Sequence, residues 1–188
     1  MERVLPEIIG VAGTLLGTVL GWLLGKWSQQ GKLYCYSEWK DSFYHSDDYG
    51  GTLDSKSREE SEGYMYRLTI ELHNRSGEPR IMRHLEVAFY NDKKIIFRDT
   101  PSDESTGHNS GSLRFYDKVQ SITIPAKTVY TMNLRGGFNY SDKRFSQIWE
   151  SNAIMLLYRD DHDSEEKFLI KKEDFSQFFE NHPEPDEN

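Results

Sequence analysis

The stretch Tyr64–Asn74, YMYRLTIELHN, decides the fold because its polar and apolar side chains alternate. In an extended chain, successive side chains point to opposite faces, so every second residue shares a face. One face would carry Tyr66, Leu68, Ile70 and Leu72, and the other Arg67, Thr69, Glu71 and His73. This alternation predicts a β-strand with one face in a core and the other in water.

A similar pattern follows on the carboxyl side of this strand. The polar segment Asn74–Pro79 predicts a turn, and Ile81–Tyr90 predicts a second strand. That second strand would bury Leu85, Val87 and Phe89. Residues 91–94 predict another turn before a short strand at Ile95–Phe97. Consecutive strands joined by short turns predict an antiparallel meander.

Further strands are predicted toward both ends of the chain. They are Leu33–Trp39, Val119–Ile124, Tyr130–Leu134, Ala153–Tyr158 and a segment around Phe168 and Ile170. The nearly continuous apolar run Ala153–Tyr158 predicts a central strand that is buried on both faces. The sequence Arg135-Gly136-Gly137 predicts a turn that ends its strand.

About seven short strands separated by turns favour a mainly β fold, an antiparallel β-sandwich with one or two short helices. In strand count and spacing the pattern resembles immunoglobulin-like sandwiches, and a small β-barrel is the alternative. The resemblance implies an architecture, and it implies no active site or partner. Ser141 predicts the N-cap of a helix over Asp142–Glu150, and Glu173–Glu180 predicts a second helix.

Three phenylalanines in the second predicted helix have helical spacing: Phe175, Phe178 and Phe179. They would either dock on the β-domain or form an exposed motif that binds a groove of a partner protein.

Two polar insertions, residues 44–63 and 99–112, contain many Ser, Gly, Asp and Glu residues and few aliphatic ones. They predict long surface loops, which carry recognition in many sandwich proteins or are tolerated insertions without a role.

The other informative segment lies before the strands. Residues 8–25 contain no charge and reach about 27 Å as a helix, close to the hydrocarbon thickness of a bilayer. The segment predicts a single N-terminal transmembrane helix, with an anchor at residues 1–27, a juxtamembrane linker at 28–32, the β-domain at 33–182 and a disordered tail at 183–188. A cleaved signal peptide is disfavoured, because the leading residues are not net basic and no small-residue cleavage site follows.

Five glycines of this helix fall within one arc of its surface: Gly10, Gly13, Gly17, Gly21 and Gly25. Small residues at every fourth position let helix backbones approach closely in lipid. We therefore expect this face to pack against another membrane helix, most simply a second copy of the chain. Glycine is also common in membrane helices without such a role.

The residues that flank the predicted span set its orientation. Trp22 and Trp27 are typical of the membrane interface, and Lys26 and Lys32 place the basic excess after the span. The β-domain is accordingly expected on the cytoplasmic side of the cell membrane. The single cysteine, Cys35, allows no intramolecular disulfide and is expected to act as a small buried hydrophobe.

The formal net charge of −8 disfavours nucleic acid as a partner, because phosphates would be repelled. No nucleophile motif, phosphate-binding loop, cofactor signature or small-molecule site is recognisable. The acidic segments 45–48 and 160–163 each include a histidine, but their composition is equally that of turns, so no metal site is predicted.

Together these features predict a non-catalytic, membrane-anchored protein-interaction module that oligomerises through its glycine-rich helix. Such a module would suit an accessory subunit, a sensor, or a bacterial host-protection or phage-exclusion factor. One alternative is a membrane-perturbing effector whose self-associating helix is controlled by the soluble domain, and a membrane-tethered hydrolase is a third.

Overall fold

The computed structural model describes residues 4–29, 31–111 and 113–183, with side chains omitted at 4–12 and 26–29. Helix α1, Val4–Gln29, precedes the β-domain. Among these residues the chain then forms twelve strands: β1 Leu33–Ser46, β2 Thr52–Asp54, β3 Gly63–Asn74, β4 Arg80–Asn91, β5 Lys94–Asp99, β6 Ser102–Asp103, β7 His108–Ser110, β8 Leu113–Phe115, β9 Ile122–Ile124, β10 Val129–Asn139, β11 Ala153–Arg159 and β12 Glu165–Lys172. Two short helices complete the domain, α2 at Lys143–Gln147 and α3 at Phe178–Asn181.

The strands form two sheets that enclose one core. The first sheet has the order β2-β1-β3-β10-β6, and the second has the order β12-β11-β4-β5, with β9 also paired to β4. Every pairing between these strands is antiparallel. A mainly β, antiparallel sandwich is therefore confirmed. A separate hairpin, β7-β8, lies outside both sheets.

The alternation in the opening stretch is confirmed. The four apolar side chains Tyr66, Leu68, Ile70 and Leu72 of β3 are at most 2% exposed, and they line the core. Leu85, Val87 and Phe89 of β4 are buried in the same core. Because β3 and β4 belong to different sheets, their buried faces meet each other across the sandwich.

The predicted meander is wrong at its first connection. Residues 74–80 carry the chain from one sheet to the other instead of forming a hairpin turn. The side chain of Asn74 fastens this crossing, because its Nδ2 donates hydrogen bonds to the carbonyls of Glu78, Ile124 and Pro125. A buried amide that satisfies three carbonyls holds the connection against the segment between β9 and β10.

The predicted central strand is confirmed, since β11 lies between β12 and β4. Its two faces join two apolar clusters: Leu156 lies in the main core, and Leu157 packs with Ala88, Tyr90 and Ala153 on the other face.

The predicted turn at Arg135-Gly136-Gly137 is wrong, because strand β10 continues through it to Asn139. The glycines serve close approach instead. A Cβ atom on Gly136 would lie 2.3 Å from the hydroxyl and Cζ of Tyr66, and one on Gly137 would lie 2.6 Å from the carbonyl oxygen of Tyr64. These glycines therefore make room for tyrosines of the neighbouring strand.

The helices and loops also differ in detail from their predictions. Helix α2 begins after Asp142, whose side chain accepts a hydrogen bond from the N–H of Arg144, so Asp142 replaces Ser141 as the N-cap. A 3-10 turn at Ile148–Glu150 continues the helix. The polar insertion 44–63 contains the end of β1 and all of β2, and the insertion 99–112 contains β6 and β7. Residues 184–188 of the predicted tail lie outside the described part of the chain.

Helix α1 extends two residues beyond the predicted anchor, to Gln29. Among the residues that the structure describes, no helix has both the length and the apolar character required to cross a membrane.

The tight fit at Gly136 generates a prediction. Substitution Gly136→Ala would place a methyl group against the Tyr66 ring and, at 2.5 Å, against Oδ2 of Asp99. We expect the free energy of unfolding to fall by about 1–3 kcal/mol, as for other overpacked cores. Thermal unfolding followed by circular dichroism measures the change. Thr131→Ala, at an exposed position of the same strand, is the control and should leave the melting temperature nearly unchanged.

Candidate functional site

The described surface of helix α1 is exposed throughout Gly13–Gly25. Its apolar side chains Leu16, Leu20 and Leu24 are each more than half exposed. A Cβ atom placed on Gly13, Gly17, Gly21 or Gly25 would meet nothing within 4 Å. The helix therefore presents both a bulky apolar surface and a smooth glycine face, and the described domain covers neither.

The other predicted anchor residues are described in part. Trp22 is 63% exposed, and Lys32 is exposed at the start of the domain. Gly10, Lys26 and Trp27 belong to α1, but their surroundings lie outside the described residues.

The chain that follows the helix is fixed to the crossing connection between the sheets. The N–H of Arg75 donates to the carbonyl of Lys32 at 3.2 Å, and Nη2 of Arg80 donates to the carbonyl of Gly31 at 3.3 Å. Gly31 permits this contact, because a Cβ there would lie 2.2 Å from the carbonyl oxygen of Arg75. Gly31 and Lys32 are thus tied to the end of the sandwich where β1 begins.

The aromatic residues near the carboxyl terminus pack into the domain. Phe175 is fully buried and Phe178 is 7% exposed, whereas Phe179 is half-buried. The Phe43 ring lies 4.9 Å from that of Phe178 and 5.6 Å from that of Phe179, and it stacks on Trp149 at 4.3 Å. Phe175 and Phe178 therefore dock on the domain, as the first of the two interpretations predicts. Neither ring is on the surface, where a partner could bind it.

A buried carboxylate links the two sheets to helix α2. Asp99, 4% exposed, accepts a hydrogen bond from the Tyr66 hydroxyl at 2.5 Å and one from Nη1 of Arg144 at 2.7 Å. Arg144 also forms a forked ion pair with Asp142. Burial, the charge of Asp99 and its hydrogen bond raise the pKa of Tyr66 well above its ordinary value, so the phenol stays protonated and donates.

A second buried network lies under the carboxyl-terminal segment. Asp41 accepts hydrogen bonds from the Tyr64 hydroxyl at 2.8 Å and from Nζ of Lys171 at 3.1 Å. Lys171 also pairs with Glu173, and His182 lies 3.3 Å from that carboxylate. Burial raises the pKa of Glu173 despite its contact with Lys171. For Lys171, burial alone would lower the pKa, but the two carboxylates outweigh it and raise the pKa.

The segments considered for metal binding have structural roles. Oδ1 of Asp160 accepts hydrogen bonds from the N–H groups of His162 and Ser164, and Oδ1 of Asp47 accepts those of Tyr49 and Gly51. Carboxylates that accept turn N–H groups are expected in such loops. Within the described residues, no group of three or more His, Cys, Asp or Glu side chains is arranged to hold a metal ion.

Cys35 lies on β1 and is half-buried. Burial raises the pKa of its thiol to about 11, so the reactive thiolate is scarce at neutral pH. This position suits a packing role.

Sequence reasoning missed an alignment of cations on the outer face of the first sheet. Lys40 of β1 and Arg135 of β10 are both directly opposite Arg67 of β3. The three residues are 27 and 68 positions apart in the sequence, and only the strand register brings them together. Only Arg67 occupies a polar position of a predicted alternating strand, because Lys40 follows the predicted strand Leu33–Trp39 and Arg135 begins the predicted turn.

The two antiparallel sheets with a shared core define an immunoglobulin-like β-sandwich. The chain belongs to the YopI Ig-like domain family, whose model matches residues 31–171. It is 24% identical over 161 residues to the SPbeta prophage-derived uncharacterized protein YopI of Bacillus subtilis strain 168. That alignment covers 84% of this chain and 90% of the relative.

Two solved structures show a weaker likeness. A Northeast Structural Genomics Consortium target, SoR45, is 12% identical with a TM-score of 0.35, over 74% of this chain and 82% of that chain. A Bordetella pertussis protein with the provisional name ApaA is 10% identical with a TM-score of 0.33, over 76% of this chain and 92% of that chain.

The buried carboxylate Asp99 generates a prediction. Arg144→Met would leave this charge buried without its cation, and we expect a loss of about 3 kcal/mol in the free energy of unfolding. Chemical denaturation measures the loss. Lys143→Met removes the adjacent positive charge without touching Asp99 and is the matched control. Equal stability of the two variants would contradict a structural role for the Asp99 network.

The raised pKa values predict alkaline instability. Burial raises the pKa of Cys35 to about 11 and that of Tyr158 to about 12, and it raises those of Tyr64 and Tyr66 well above the ordinary value. Each group holds its proton more tightly in the folded chain, so its contribution is complete below the unfolded pKa and is lost as pH rises through the folded one. Stability should therefore fall between about pH 9 and pH 12.

Melting temperatures across this range, with phenolate absorbance recorded in parallel, measure the effect. Thiols ionise at a lower pH than phenols, so Cys35→Ala should remove the part of the stability loss that begins first as the pH rises. A melting temperature that stays constant up to about pH 12 would contradict the raised pKa values of these buried groups.

Proposed function

We propose that this protein is a membrane-anchored protein-interaction module. In this proposal α1 crosses the cell membrane once, its glycine face associates with a second copy or with another membrane protein, and the Ig-like domain meets a partner on the cytoplasmic side. No catalytic step is assigned to the domain.

The exposed surface of α1 carries the proposal. A helix that is apolar on all sides is stable when lipid or protein surrounds it, and water is a poor solvent for it. Between Gly13 and Gly25 the described side chains are exposed, and they include Leu15, Leu16 and Val19. In the sequence, the uncharged segment 8–25 reaches about 27 Å as a helix, close to the hydrocarbon thickness of a bilayer.

The empty glycine face supports association between helices. Leucine surfaces gain little from meeting each other in lipid, so close backbone contact at small residues becomes the main source of affinity. The absence of any atom within 4 Å of a Cβ on Gly17 or Gly21 leaves that face open for a partner helix.

The domain fits an interaction role better than a catalytic one. Its buried carboxylates Asp41 and Asp99 are already engaged by Lys171 and Arg144. The name of the Bacillus subtilis relative places that protein in a prophage, which supports a role in host protection or phage exclusion over a general cellular role.

Association of α1 is tested by Gly17→Ile in the full chain, in native membranes. The β-branched side chain would hold two backbones apart, so the yield of crosslinked dimer should fall at least tenfold. Leu16→Ile, on the bulky side of the same helix, is the matched control and should leave the yield unchanged. Equal yields from both variants would refute the glycine interface.

The same variants separate this proposal from a membrane-perturbing effector. If overexpression depolarises cells and Gly17→Ile restores the potential, the effector function is favoured. Protease protection of tagged termini in sealed vesicles tests the orientation, and digestion of the β-domain only from the cytoplasmic side is expected.

A further inference from the structure

The outer face of the first sheet carries three adjacent cations, which we call the cationic row: Lys40, Arg67 and Arg135. The register places Lys40 and Arg135 opposite Arg67 on its two neighbouring strands. Paired residues of an antiparallel sheet point to the same face, so all three side chains emerge on the solvent side. Lys40 and Arg67 are 74% and 68% exposed.

The cationic row is unfavourable by itself. Like charges directly opposite each other on neighbouring strands repel. The chain as a whole has 31 acidic and 23 basic residues, so chance does not favour three cations in one row. The domain places one carboxylate beside Lys40 and another beside Arg67, and a further anion would relieve the remaining repulsion.

The compensation within the domain lies largely at the surface, where Lys40, Glu38 and Arg67 are exposed and Glu104 is half-buried. Glu38 lies 2.8 Å from Lys40, with both side chains largely in water, and Glu104 lies 3.4 Å from Nε of Arg67. Ion pairs of this kind contribute little, because water screens them and both side chains lose freedom. Arg135 lies 4.6 Å from the centre of the Tyr116 ring, which fixes the guanidinium without neutralising it.

The surface beside the row is hollow. The next positions along the three strands are occupied by Ser42, Met65 and Gly137, and Gly137 has no side chain. A shallow depression results, and its lining includes all three cations together with Ser42 and Met65. Asp41 also borders it, but its carboxylate is already bound by the Tyr64 hydroxyl and by Lys171. A chain segment laid there could reach the cations and cover the exposed thioether of Met65.

We propose that the cationic row binds a short acidic segment of a partner protein, through two or three carboxylates. Strands are about 4.8 Å apart, so the row spans about 10 Å. That width matches carboxylates on nearby residues of one peptide. Arginine is suited to such contacts because its planar guanidinium binds a carboxylate through two hydrogen bonds.

The position of the row disfavours the two other polyanions. Lys40 lies seven residues after Leu33, or about 23 Å along the strand from the end that α1 enters, so a bilayer there would be distant. The formal net charge of −8 repels a nucleic acid that extends beyond the row. At physiological salt a charge acts over about 8 Å, so the local cations still govern a short ligand.

This inference rests on the proposed interaction function and names the chemistry of the partner. The test uses the full chain in nanodiscs of neutral lipid and a fluorescein-labelled peptide with the sequence Glu-Ala-Glu-Ala-Glu. Fluorescence anisotropy measures binding at several salt concentrations. The variant is Lys40→Gln with Arg67→Gln and Arg135→Gln. Its matched control is Lys93→Gln with Lys94→Gln and Lys172→Gln, which removes the same charge from exposed positions in the second sheet and in the turn between β4 and β5.

We expect peptide binding to weaken as the salt concentration rises. The affinity should fall at least tenfold in the row variant and persist in the control variant. The row variant should melt at or above the temperature of the parent chain, because a repulsion has been removed. Equal loss in both variants, or a Gln-Ala-Gln-Ala-Gln peptide that binds as well, would overturn the proposal. The proposal would also be overturned if the row preferred a short oligonucleotide, or the surface of nanodiscs that contain anionic lipid, to the peptide.

Measuring the yield of crosslinked α1 dimer beside peptide binding, for each variant, distinguishes failure of the glycine interface from failure of the cationic row. Loss of crosslinking with intact peptide binding would refute the glycine interface alone. Loss of peptide binding with intact crosslinking would refute the cationic row alone.

Discussion

The contact between the aromatic rings of the two sheets is the constraint on which the rest of the domain depends. The Phe89 ring of β4 lies 6.2 Å from the Tyr64 ring, 6.4 Å from the Tyr66 ring and 6.2 Å from the Phe138 ring. Large rings bury much apolar area, so this layer supplies a major part of the favourable free energy of folding. The two tyrosines bring hydroxyl groups into the core, and each hydroxyl must find a partner there.

The two buried networks follow from that requirement. Asp41 accepts from Tyr64 and Asp99 accepts from Tyr66, and each carboxylate then needs a cation because a lone buried charge is costly. Lys171 and Arg144 supply those cations from the last strand and from α2. The rings also need space, which Gly136 provides. Polar groups deep in this sandwich are thus explained by the packing of its tyrosines, and catalysis need not be invoked for them.

The parts of the fold that depend on local pattern could be predicted from the sequence. Alternation along β3 and β4 correctly identified the buried faces, and the apolar run at β11 identified the central strand. The crossing between β3 and β4 could not be predicted, because a polar segment looks alike whether it joins strands of one sheet or of two. Gly136 and Gly137 were misinterpreted for a related reason: the tyrosines that require them lie some 70 residues earlier in the chain.

The same difference applies to the two candidate interaction surfaces. The glycine face of α1 depends on the helical repeat, so 3.6 residues per turn are enough to place its members together. The cationic row depends on how three strands are aligned, which is a long-range property. Its distance of about 23 Å from the start of β1 also has a mechanical consequence. Hydrogen bonds from Arg75 and Arg80 fix Lys32 and Gly31, which precede β1, to one end of the sandwich. A proposed anchor held at that end would leave the outer face of the first sheet clear of the bilayer, so a helix partner and an acidic peptide could be bound at the same time.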